Sequence, residues 1–110
     1  METIIKKINE LDDIHQKIIN TGKSNIIYSR VGIIDDIVIM ETENELRKSL
    51  RIRIEKTKEL DSITNIPIYT SKVGKSKERR HVGTKSILSN LDFMISVANK
   101  QLIKMKNRGV

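Results

Sequence analysis

The apolar residues of this chain change their spacing from segment to segment, and each spacing predicts an element. Over residues 3–20, Ile4, Ile8, Leu11 and Ile18 fall on one stripe, flanked by Ile5, Ile14 and Ile19. That is the repeat of an amphipathic helix, with Thr3 as its N-cap and Gly22 as its stop. His15 lies at the edge of the stripe and reads as a half-buried packing residue. At the other end, Leu88, Leu91, Ile95, Ala98, Leu102 and Met105 step by 3, 4, 3, 4 and 3, an a/d heptad seam over 88–106. Phe93, Met94, Val97 and Ile103 widen this apolar face. Such a terminal helix either caps a core or pairs with a second copy. Pairing is the expectation, which makes the six seam residues the contact of a homodimer.

The middle of the chain is less regular. NIIYSRVGIIDDIVIM (25–40) fits a short strand followed by either a short helix or a continuing strand. Thr42 followed by Glu45 is a capping-box pattern, and Leu46, Leu50 and Ile54 then recur every four residues. Arg47, Lys48, Arg51 and Lys58 lie off that stripe, so 43–60 is expected to be a helix with a basic flank. The same stretch holds a rival reading. SLRIRIE alternates Leu50, Ile52 and Ile54 with Arg51, Arg53 and Glu55, which is strand spacing; the cap, as a start signal, favours the helix. ITNIPIYT (63–70) is rich in β-formers, and Pro67 suits an edge strand. HVGTKSI (81–87) reads as a return strand. No repeat or low-complexity tract divides the chain, so one α+β domain over 1–110 is expected, with a core at 1–87 and a C-terminal helix at 88–106.

Charge sharpens this picture. The chain carries a net +7, but residues 1–70 hold 11 Lys/Arg against 12 Asp/Glu, whereas residues 71–110 hold 10 against 2. Asp35, Asp36, Glu41, Glu43 and Glu45 form an acidic block, followed by Arg47, Lys48, Arg51, Arg53, Lys56 and Lys58 with Glu55 among them. A second basic run, TSKVGKSKERRHVG (70–83), has Lys72, Lys75, Lys77, Arg79 and Arg80 against Glu78 alone, with Lys85 just beyond. Gathered basic charge is the footprint of a polyanion binder. With no cysteine there is no disulfide framework and no thiolate site, which fits a cytoplasmic protein. METIIKKINELDD lacks the apolar stretch of a signal peptide, and no apolar run approaches the ~20 residues that span a bilayer.

Small-molecule chemistry finds little support. A phosphate-binding loop needs a glycine five residues before its G-K-S; Gly74-Lys75-Ser76 has Tyr69 there, and Gly22-Lys23-Ser24 has Lys17. Asp35 and Asp36 are adjacent, so their carboxylates diverge in a helix and in a strand alike. His15 and His81 have no patterned partners, so no metal site, cofactor, catalytic residue or membrane partner is expected. The basic runs have no interleaved aromatics, which turns the reading from single strands toward double-stranded DNA.

The order of elements, with a capped basic helix followed by strand, basic glycine-containing loop, strand and long terminal helix, resembles the winged helix-turn-helix architecture. TENELRKSLRIRIEKTKEL (42–60) is similar to its recognition helix, and IPIYTSKVGKSKERRHVG (66–83) to its strand–wing–strand unit, with the wing at 70–83. The resemblance implies a dimeric DNA-binding protein, a transcriptional regulator or a partition or chromatin component, nucleoid-associated or, if viral, in the host cytoplasm. Arg47, Lys48, Arg51 and Arg53 would face the major groove, and Lys72, Lys75, Lys77, Arg79, Arg80 and Lys85 the backbone. The chain departs from the pattern at Met40-Glu41-Thr42, where the usual glycine is missing. A strand at 49–55 would instead bring the plan closer to Alba-type chromatin proteins or KH modules. A different class also remains: a small inhibitor or protein-interaction module whose basic surface docks an acidic partner.

Overall fold

The computed structural model describes residues 1–46 and 48–107. Helix α1 (Glu2–Asn20) leads into five strands, β1 (Ile26–Ile34), β2 (Ile37–Asn44), β3 (Ser49–Leu60), β4 (Pro67–Val73) and β5 (Arg79–Val82), and helix α2 (Lys85–Asn107) closes the chain. The strands form one antiparallel meander in the order β1-β2-β3-β4-β5. Both helices lie on one face of this sheet and leave the other face open. The class is α+β, as the spacing predicted.

The winged-helix details are corrected at 42–60. No described helix stands between Asn20 and Lys85, and the expected recognition helix is the long strand β3. The reason is burial. Ile52 and Ile54 are both in the core, opposite Met40 and Val38 of β2. In a helix two residues apart are about 200° apart, so one of the pair would face water. In a strand both point to the same face. Thr42 and Glu45 cap nothing: Thr42 is a β2 residue paired with Leu50, and Glu45 lies in the β2–β3 turn. That turn is shaped by Asn44, whose side-chain oxygen accepts from the Leu46 N–H at 3.0 Å.

The ambiguous stretch 25–40 resolves into a hairpin. Ile34 pairs with Ile37, so Asp35 and Asp36 alone make the turn, and Asp35 takes the left-handed φ of 51° that aspartate tolerates. Pro67 does not mark an edge strand. It stands at the first position of the inner strand β4, where its missing N–H costs no ladder bond, and its carbonyl accepts from the Gly83 N–H at 2.9 Å. The return strand is β5, ending at Val82, and 85–87 already belong to α2.

The heptad seam is spent inside the chain. Leu91, Ile95, Ala98 and Leu102 are buried with Ile4, Ile8, Leu11 and Ile18 of α1 in one core, and Leu88 and Met105 are half-buried. Lys7 and Asp92 pair across the two helices. The expected dimer contact through this seam is therefore replaced by a helix pair within one chain. Among the described residues, no helix is long and apolar enough to cross a membrane.

Two outcomes test this core. Ile54→Ala should destabilise the chain by about 2–5 kcal/mol in denaturant unfolding, whereas a helical 43–60 would leave one of Ile52 and Ile54 tolerant. His15 is a second probe. Burial pushes its imidazole below the usual 6.5 against the opposing pull of Asp12, and its buried Nδ1 has no hydrogen-bond partner. His81 is lowered too, by burial and then by Arg79. The unfolded chain therefore takes up these protons first, so stability should be full above pH 6.5 and fall as acid lowers the pH through the folded-state values. His15→Leu should flatten that fall in unfolding curves measured across the same range.

Candidate nucleic-acid interface

The open face is written by strand alternation. Once Leu50, Ile52 and Ile54 face the helices, Arg51, Arg53 and Glu55 must face away. The register then aligns residues across strands. One row runs Arg30–Glu41–Arg51 over β1, β2 and β3. The next runs Gly32–Ile39–Arg53–Lys72 over β1 to β4. A third reaches Arg80 through Glu55 and Thr70. Two adjoining shallow clefts follow these rows, one lined by Arg30, Gly32, Ile39, Glu41 and Arg51, the other by Arg51, Arg53, Lys72 and Gly74.

Acidic side chains are built into the face. Glu41 lies between two arginines, 3.1 Å from Arg30 and 3.6 Å from Arg51. Arg53 pairs with Glu55 at 2.6 Å and approaches Glu78 at 3.9 Å, and Arg80 pairs with Glu59. Arg80–Glu59 is solvent-exposed and contributes at most about 1 kcal/mol, while Glu41, Arg53 and Glu55 are half-buried but still open to water, so each pair can be exchanged for a stronger anion. The Arg30 guanidinium also sits 5.5 Å from the centre of the Tyr28 ring. Lys72, Lys75 and Lys77 make no ion pair among the described residues.

The β4–β5 turn carries the remaining cations. Gly74 adopts a φ of 58°, a left-handed turn conformation, while its N–H donates to the Arg51 carbonyl at 2.8 Å. Ser76 closes the turn by donating its N–H and hydroxyl to the Val73 carbonyl, at 3.1 and 2.5 Å. Antiparallel order puts this turn at the same end of the sheet as the β2–β3 turn. Lys75 and Lys77 therefore share that end with Lys48, and Asp35, Asp36 and Asp61 lie in the turns at the opposite end. Asp61 there accepts from the backbone and hydroxyl of Thr64 and from the Ile63 N–H, which holds its carboxyl below the usual carboxylate range.

Of the ten basic residues singled out in the sequence, Arg51, Arg53, Lys72 and Arg80 share the open face, and Lys48, Lys75 and Lys77 border it. Arg79 does not join them: its pairing with Ser71 turns it toward the helix-bearing side. Lys85 opens α2 and also leaves the face. Arg47 lies outside the described residues. Arg30 and Tyr28 were missed. Their period-two spacing with Gly32 was the available signal, hidden by the uncertain reading of 25–40.

Comparison with known proteins finds no matching family model, curated protein or solved structure. The chemistry of the site must therefore come from its geometry. His81 bridges Ser71 and Ser86 through Nε2 and Nδ1, at 2.7 and 2.8 Å, and so ties β5 to the first turn of α2. Among the described residues, no group of three His, Cys, Asp or Glu could hold a metal ion.

Proposed function

We propose that this chain binds double-stranded DNA through the open face of its sheet, contacting the phosphate backbone. One observation carries the reading. The basic clusters at 48–53 and 72–77, separate in sequence, adjoin on one face and one end of the sheet. Clusters on opposite faces would have argued against it. Arg30 and Lys72 lie three strands and one row apart, about 16 Å, which is comparable to the ~12 Å width of a major groove. Cations at that separation can reach phosphates on both sides of a groove. Without a recognition helix, the contacts supply affinity and position rather than base readout. Only Tyr28 among the aromatics is on the open face, so successive bases of a single strand have no stacking platform. In this reading Glu41 and Glu55 hold the arginines in place until phosphates displace them.

A second reading has its own support. Because Arg30, Arg51, Arg53 and Arg80 already have glutamate partners, the face also suits an acidic protein that exchanges with them.

A salt titration of duplex binding separates the two. Lys72→Ala with Lys75→Ala and Lys77→Ala should weaken binding and reduce the log–log salt slope by up to about 2.7, roughly 0.9 for each lost phosphate contact. Glu41→Gln, which frees Arg30 and Arg51, should tighten it. Micromolar protein that retains no duplex at about 50 mM salt would refute the DNA reading and leave the acidic-protein one.

A further inference from the structure

The helix-bearing face of the sheet is unevenly covered. α1 lies over β1 and β2, fastened where Gln16 donates to the Ser29 carbonyl at 2.7 Å and the Ser29 hydroxyl donates to Asp12 at 2.6 Å. α2 packs chiefly on α1, and an apolar groove runs between α2 and strands β3 and β4. Ile52, Ile54 and Val73 form its floor, and Phe93 and Val97 stand along its rim. Phe93 is 70% exposed, Val97 47% and Leu50, at one end of the groove, 45%. The radius of gyration, 15.5 Å, exceeds the roughly 13 Å of a compact chain of this length, as expected for a sheet that extends past its helical cover.

We propose that a second copy of this chain covers the groove, seating its own Phe93–Val97 edge there while receiving ours. Two observations favour this occupant. The groove and the ridge belong to the same helix, so one two-fold axis satisfies both copies at once. Among the described residues, no Asp, Glu, Lys or Arg lines the groove, so a charged peptide finds no counter-charge there. The area is consistent. Ile87 to Gln101 is about 21 Å of helix, and with the neighbouring strands the patch covers roughly 400–600 Å² per copy. That places the pair in the small, transient class of interfaces, with dissociation in the micromolar range. The two open faces would then point away from the contact. Their joint use in binding DNA rests on the function proposed above; the self-association does not.

Sedimentation velocity without nucleic acid, from about 1 to about 200 µM protein, tests this across the affinities such an area allows. The wild type should shift from monomer to dimer over that range. Phe93→Glu with Val97→Glu should stay monomeric throughout with unchanged helical circular dichroism, because both side chains are solvent-exposed in the monomer. Val97→Lys alone, a milder change, should raise the dissociation constant at least tenfold. A wild type that stays monomeric at the highest concentration would overturn the proposal, as would a dimer that survives these substitutions, the result expected from pairing through the β1 edge.

Discussion

The structure depends on burying one apolar ladder. Val38 and Met40 of β2 lie opposite Ile54 and Ile52 of β3, and all four are buried in one core with isoleucines and leucines of α1 and α2. Each large side chain removed from water contributes about 1.5–3 kcal/mol. A slip of one residue in the β2–β3 register would put Arg51 and Arg53 in the core and the isoleucines in solvent. Register is therefore strongly specified, and the chemistry of the opposite face follows from it. Every isoleucine that turns inward obliges its neighbour to turn outward. The arginine rows are the reverse side of the core.

That coupling explains the interleaved glutamates. Arginines aligned across adjacent strands would repel, and like charges directly opposite destabilise a sheet. Glu41 between Arg30 and Arg51, and Glu55 beside Arg53, relieve that repulsion. The lysines of β4 and its turn, Lys72, Lys75 and Lys77, have no such ion pairs among the described residues. The face thus grades from balanced rows in the middle of the sheet to uncompensated cations at one end.

Both helices were legible because their patterns are long. Five or six apolar positions recurring at 3.6-residue spacing outweigh any local signal, and α1 and α2 lie close to the predicted 3–20 and 88–106. Residues 43–60 were misread because a short-range signal competed with a long-range one. A capping box is worth about 1 kcal/mol, less than the burial of Ile52 and Ile54 together. The alternation of SLRIRIE was visible, but its weight depended on β2 and β4 lying on either side. The seam on α2 was legible as a seam, whereas its partner was not: α1, some 80 residues earlier, presents a stripe as apolar as a second copy would. The site was legible in part. Arg51, Arg53 and Lys72 stood out by charge. Arg30 and Tyr28 did not, because only the β1–β2 register brings them beside the others.

The sequence by itself determined two amphipathic helices, a β-rich middle, the α+β class and two basic clusters, all of which rest on spacings within about 20 residues. The tertiary structure decided what those spacings could not. It chose strand over helix at β3, since only a sheet buries both isoleucines. It gave the heptad seam to α1, and it left the groove beside α2 uncovered. It also turned Arg79 and Lys85 away from the open face and brought Arg30 onto it. Each of these is a choice of partner, and a partner's identity depends on contacts between residues far apart in the chain.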